Sequence, residues 1–492
     1  MDNPWGVFKF LAPQLPSLAN TAMWHSLGRT PTSSKWDLRT ELTVSVLRNM
    51  MTGNPSKPKP ISAIQATTLK DPGVKGRTWV ATEKISAPSS DQESVRQAVF
   101  KAIDDMKPSD ADSLSDTKPD LVDVEVEWTG YRPDAGKDER PPDIPEAEKY
   151  ERLMSEKTRT SETTILYFHG GAYYLCDPST HRLACSRLAK ESRGRVCSVR
   201  YRLAPQTAFP GQLLDALLVY LSLLYPPADS MHEAVPASNI VFGGDSAGGN
   251  LTFALLQLIL QINRSPNNAT VRFHGQDVEV PLPAGAFANS GWFDISRSMP
   301  SIVENLQYDY LPEPHDDDAS KLITKDAIWP AQPPRGDLFC DLSLLNHPLV
   351  SPMVAESWAN APPMWLSTGQ ECLRDEIAVV ATRAASQGVK VDFEEYEAMP
   401  HVFSMLLTSL PTASSCMKSC GDFCRRCVEE PDTAETRGTY IYAKTGVEEP
   451  IALDEISKVA FERARTLARE ARERRMKGFA STQRSATSRS TL

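Results

Sequence analysis

Residues 239–262 read Asn239-Ile-Val-Phe-Gly-Gly-Asp-Ser246-Ala-Gly-Gly-Asn-Leu-Thr-Phe-Ala-Leu-Leu-Gln-Leu-Ile-Leu-Gln-Ile262. The apolar run 239–243 reads as a strand. The run 251–262 is too long and too regularly apolar for one, and reads as a helix. Between them stands Gly244-Asp245-Ser246-Ala247-Gly248. A serine hydroxyl is a weak nucleophile, so it must be held at a sharp strand-to-helix turn where a base can reach it. The flanking glycines allow close backbone approach, and the helix N-terminus favours negative charge beside the serine. The pentapeptide alone is common; its strand-then-helix setting is what makes Ser246 a candidate nucleophile.

Upstream, Ile165-Leu166-Tyr167-Phe168 runs into His169-Gly170-Gly171-Ala172. A glycine loop at a strand end presents backbone N–H groups free of side-chain obstruction. Such donors, with the N–H of Ala247, can hold the oxyanion of a tetrahedral intermediate. The reading assigns this hole to Gly170, Gly171, Ala172 and Ala247, with Gly170 shaping the turn. Around these motifs the pattern alternates. Strands are expected over 164–168, 195–199, 239–243, 285–288, 364–368 and 391–396, with helical segments after nearly every one. Runs apolar throughout suit strands buried on both sides, so the fold class is α/β, a mostly parallel sheet with helices on both faces.

Composition narrows the function classes. The 492 residues carry a formal net charge of −10, are 41% hydrophobic and 24% charged, and suit one large catalytic domain with additions. An acidic chain is a poor nucleic-acid partner. The most apolar stretch, 213–225, is interrupted by Asp215 and is too short to span a bilayer. The start, Met-Asp-Asn-Pro-Trp, lacks the basic opening of a secretory signal, and nine scattered cysteines make no disulfide framework. A cytoplasmic location is expected.

Taken together, His169-Gly170-Gly171, Tyr201-Arg202-Leu203-Ala204-Pro205, Phe209-Pro210 and Gly244-Asp245-Ser246-Ala247-Gly248 resemble the hormone-sensitive lipase-like esterases in order and spacing. The resemblance covers about 163–428. It implies an α/β-hydrolase fold with a helical cap from the N-terminus, hydrolysis of a small-molecule carboxylic ester, and no cofactor or metal. His401 sits where the family places its catalytic histidine. His274, His315 and His347, the others beyond the elbow, lack its strand-then-helix setting. In register the acid falls on Glu371, where relatives more often carry Asp, and Asp375 is the fallback. Ala172 replaces a third glycine found in many relatives. The 201–205 segment is expected to support the oxyanion loop. Some features are similar to fungal steryl acetyl hydrolases and to esterases of secondary metabolism, which implies a short acyl group, such as acetyl, on an apolar alcohol. An amidase, formamidase or lactonase on the same triad, and a non-catalytic binding protein, are the alternatives.

Four segments are expected: an N-terminal cap segment (1–60), leading strands with two mobile polar insertions (61–162), the core (163–430), and an extension with a charged helix and frayed tail (431–492). A helix is expected over 36–51, extended chain over 64–84 and 122–131, insertions at 86–119 and 133–162, a strand or hairpin arm at 439–444 and a helix at 456–480. The basic end of that last helix leaves peripheral membrane contact open, and the oligomeric state is not legible. Tyr173 and Tyr174, with Trp5 and Trp24, are expected to line the substrate pocket. Cys416, Cys420, Cys424 and Cys427 fall on one helix face at spacings that favour apolar packing over a zinc site. His315-Asp316-Asp317-Asp318 reads as a solvated loop rather than a metal site.

Overall fold

The structure, a computed structural model, describes residues 12–52, 58–107, 118–155, 157, 159–264, 270–313 and 323–490. Ten strands make one sheet: β1 (Thr78–Ile85), β2 (Val124–Tyr131), β3 (Thr164–Phe168), β4 (Arg195–Val199), β5 (Ile240–Asp245), β6 (Gly285–Asn289), β7 (Met364–Gly369), β8 (Val391–Tyr396), β9 (Arg437–Ile441) and β10 (Glu448–Ile451). Their spatial order is β10-β9-β8-β7-β6-β5-β3-β4-β2-β1. From β4 to β9 the neighbours pair in parallel. Antiparallel β1, β2 and β10 complete the two ends. Every residue of β3 to β8 is buried, as a sheet covered on both faces requires. This is the α/β-hydrolase architecture.

The helices used below are α1 (Leu15–Ser26), α2 (Leu38–Thr52), α3 (Gln92–Asp105), α4 (Glu146–Met154), α5 (Pro178–Ser192), α6 (Gly211–Leu224), α7 (Ala247–Arg264), α8 (Arg374–Ser386), α9 (Pro411–Glu429) and α10 (Phe461–Ser490). Strand alternation sorts the core into two layers. Leu166, Phe168, Phe242 and Leu366 face one way and pack with α6, α7 and α8. Ile165, Tyr167, Val241 and Trp365 face the other way and pack with α5 and α9. The four-cysteine stripe of α9 lies in this second layer, fully buried against those strand residues. All fourteen residues of α6 are buried. Truncating one of them, Leu217 for example, costs about 2–5 kcal/mol.

Several expectations are corrected. The extended stretch over 64–84 begins as a helix, Ile61–Thr68, before β1. The first polar insertion contains α3, whose Val95, Val99, Phe100 and Ile103 are buried. The second contains α4, which buries Tyr150 and Leu153. In both, apolar residues at helical spacing outweigh a Ser-, Asp- and Pro-rich composition, because one buried stripe suffices to dock a helix. The last helix runs to Ser490, ten residues past its expected end, and docks Ala464 and Ala468 on the core. The His315–Asp318 run and Trp5 lie outside the described residues.

Candidate active site

β5 ends at Asp245, and α7 begins at Ala247. Ser246 between them has φ +52°, a left-handed conformation that costs a non-glycine residue about 1–3 kcal/mol and is held by its surroundings. Its N–H donates to the Asn289 carbonyl at 3.2 Å, and its carbonyl accepts from Trp292 at 2.9 Å. At Gly248 a β-carbon would sit 1.9 Å from the Phe168 carbonyl oxygen, so no side chain fits there. The elbow is therefore fixed by neighbours on β3, on β6 and in the loop just after β6.

His401 follows β8 in a turn where Ala398 and Val402 both take positive φ. Its Nε2 lies 2.9 Å from Ser246 Oγ, while its Nδ1 meets Glu371 Oε2 in a short hydrogen bond. A carboxylate only accepts, so Nδ1 carries the proton toward Glu371 and Nε2 is left to accept from the serine. The other Glu371 oxygen takes Thr368 Oγ1 at 3.1 Å and the Gly369 N–H at 3.3 Å. Glu371 is 0% exposed and His401 3%. Burial pushes the imidazole pKa down, but the Glu371 charge and hydrogen bond outweigh it and hold the pKa above its ordinary value. Asp375 is elsewhere engaged: it accepts the Ser301 N–H at 3.0 Å and lies 3.2 Å from Arg374 Nη1.

The oxyanion loop leaves β3 with φ +113° at Gly171, +52° at Ala172 and +65° at Tyr173. The Gly170 N–H is committed to Asp245 Oδ1 at 3.1 Å, so Gly170 anchors the loop to the residue before the serine. Tyr201 donates to the His169 carbonyl at 2.7 Å, and the two rings stack at 4.3 Å. The Tyr-Arg-Leu-Ala-Pro segment thus supports this loop. Asp245 also accepts Tyr167 Oη at 2.5 Å and faces His181 Nε2 at 3.4 Å.

Comparison with known proteins bears on this arrangement. Residues 165–405 match a family model described as an alpha/beta hydrolase fold. An acetyl-hydrolase of Streptomyces hygroscopicus is 28% identical over 273 residues, covering 55% of this chain and 78% of the relative. An esterase of Acinetobacter venetianus is 27% identical over 271 residues, covering 54% of this chain and 76% of the relative. The chain carries an α/β-hydrolase domain over residues 165–405 and resembles the hormone-sensitive lipase-like esterases. It is an enzyme that acts on carboxylic ester bonds. The fold likeness extends further: the crystal structure of a hormone-sensitive lipase homologue from a metagenome library superposes with a TM-score of 0.51 at 22% identity. That superposition covers 80% of this chain and 100% of that one.

Other parts of this hydrolase answer differently from the sequence reading. Tyr173 is fully buried, stacks on Phe339 at 3.8 Å and donates to Asn250 Oδ1 at 2.6 Å. The left-handed turn at Ala172 and Tyr173 swings that ring into the core, so it offers no surface to a substrate. Tyr174 is half-buried. Trp24 is 38% exposed on α1, a helix with no buried residue. Trp36, just before α2, is buried and donates to the Ala398 carbonyl at 2.6 Å, on the turn that carries His401. Lys35 pairs with Glu397 on the same turn. Trp36 and Val44 form a small apolar cluster with Tyr310 and Val402, and the Tyr310 ring lies 6.0 Å from that of His401.

Sequence reasoning missed Asp309 and Asn289. Asn289 lends its carbonyl to Ser246 and its side-chain amide to Ser404 at 2.7 Å. Asp309 touches both loops that carry Glu371 and His401. Neither stands in a motif, so no local signal marks them. Among the described residues, no helix is long and apolar enough to cross a membrane. No group of three His, Cys, Asp or Glu residues is placed to hold a metal ion, again among those residues.

Proposed function

We propose that this esterase is a serine carboxylesterase that removes a short acyl group, acetyl in particular, from an apolar alcohol through Ser246, His401 and Glu371. The observation that carries the reading is the continuous hydrogen-bond chain from Ser246 Oγ through His401 to Glu371. His401 Nε2 takes the serine proton as Oγ attacks the ester carbonyl, and Glu371 steadies the imidazolium that forms. The N–H groups of Gly171, Ala172 and Ala247 hold the oxyanion, helped by the positive end of α7. His401 then protonates the departing alcohol, and a water activated by the same imidazole releases the acid.

Acetyl is favoured by the likeness to the Streptomyces acetyl-hydrolase. Nine free cysteines suit a reducing compartment, which supports a cytoplasmic location. The four-segment organisation is part of the same proposal, with the core carrying the three catalytic side chains. Hydrolysis of p-nitrophenyl esters from acetate to octanoate tests the reading. Acetate or propionate should give the highest kcat/KM, and a fluorophosphonate probe should label wild type but not Ser246→Ala. An octanoate preference would refute the short-chain assignment, and labelling that survives the substitution would refute Ser246.

A further inference from the structure

We propose that Asp309 is the positioning residue that sets His401 against Glu371, and that Arg48 of the N-terminal segment steadies it from outside. The inference rests on the triad reading above and deepens it. Asp309 is 0% exposed. Its Oδ1 accepts the His401 N–H at 3.2 Å and the Tyr310 N–H at 2.7 Å, while Oδ2 accepts the Cys372 N–H at 2.8 Å. One carboxylate therefore joins the loop after β7, at the residue following Glu371, to the loop after β8, at the catalytic histidine itself. Its backbone carbonyl takes two bonds from the Arg48 guanidinium, Nη2 at 2.7 Å and Nε at 3.1 Å. Arg48 lies on α2, so the segment that packs Trp36 beneath the His401 turn also grips the residue that holds the two loops together.

The group has to be a carboxylate. Both oxygens face backbone N–H donors, and an amide would set its own NH₂ against one of them. The negative charge also faces the imidazole, together with Glu371 and Asp245, and adds to the forces that favour the protonated ring. Tyr310 is the remaining titratable group against His401, and Arg297 is a second cation within electrostatic reach of Asp309. A residue that only shaped its own loop would touch Tyr310 and Leu311 and stop there. Asp309 reaches both of the loops whose relative position fixes the Glu371–His401 bond.

The test compares pH profiles of p-nitrophenyl acetate hydrolysis for wild type, Asp309→Asn and Arg48→Gln, with thermal unfolding run beside them. Asp309→Asn should lower kcat roughly 10- to 100-fold with KM little changed, as small displacements of a catalytic group do. It should also move the acidic limb of kcat to lower pH, because a charge that favours the imidazolium has gone. Arg48→Gln should lower kcat several-fold, leave that limb in place, and be rescued by Arg48→Lys. Wild-type kcat and an unmoved limb in Asp309→Asn would overturn the proposal, whatever its effect on unfolding. Should Asp309→Asn not fold, the arginine pair decides: wild-type kcat in Arg48→Gln overturns it. Failure of the triad reading looks different, because Ser246→Ala would then keep its activity.

Discussion

Glu371 bonds the Nδ1 side of His401, whereas Asp375, one turn along the same segment, accepts the Ser301 N–H and never approaches the imidazole. Glu371→Gln should therefore lower kcat by roughly 10⁴-fold, because an amide offers the wrong partner to the ring and favours the wrong tautomer. Asp375→Asn should act on stability, through the start of α8 and its contact with Ser301, and leave kcat within a few-fold. Steady-state kinetics on the two variants separate the roles, and the reverse ranking would reassign the acid.

The pH profile follows from the same bond. In the proposed mechanism His401 acts as a base in its neutral form, so activity should rise as pH passes its pKa. Burial lowers that pKa, but the Glu371 charge and hydrogen bond, with the Asp309 and Asp245 charges, together hold it above its ordinary value. The acidic limb of kcat/KM should accordingly lie higher in pH than a free imidazole would place it. In Glu371→Gln the residual activity should show the limb displaced downward, since burial then acts unopposed by that carboxylate. A limb that stays put in the variant would mean that another group controls it.

What the sequence made legible was local. Ser246, the oxyanion loop and His401 each sit in a short pattern that follows a strand, and β3, β4 and β8 fall at their expected bounds. Glu371 needed the resemblance, because one acidic residue among several after β7 has no local mark. Tyr173 was misread because its direction depends on two consecutive positive φ values, which an alanine and a tyrosine do not advertise. Helices α3 and α4 were hidden by polar composition around a single apolar stripe. Asp309 was invisible for a stronger reason: its partners, Arg48, Cys372 and His401, meet only when four distant segments fold together.

The cysteine stripe of α9 is apolar packing in contact with the sheet. Cys424 is 0% exposed, and its serine variant buries a hydroxyl in an apolar layer. Cys424→Ser should lower unfolding free energy by about 1–3 kcal/mol while kcat stays at the wild-type value. Overnight exposure to a strong chelator should leave the wild-type melting temperature unchanged. Stoichiometric zinc in the purified protein, lost in the variant, would instead make these residues ligands.

Helix α1 buries none of its residues, and Leu15, Met23 and Trp24 are 51%, 50% and 38% exposed. It packs on α2, which reaches the His401 turn through Trp36 and Asp309 through Arg48. A helix of the N-terminal cap segment that contributes so little to the core is expected to shape access for a large apolar alcohol. Removing residues 1–26 keeps the bonds of Thr30 and Thr32 to Glu41 and gives up the 3.0 Å contact of His25 Nδ1 with that carboxylate, so it should lower the melting temperature by no more than a few degrees. The same deletion should reduce kcat/KM several-fold for an acetate ester of a bulky apolar alcohol, and much less for p-nitrophenyl acetate. Equal losses on both esters, accompanied by a large drop in melting temperature, would show instead that α1 serves general stability.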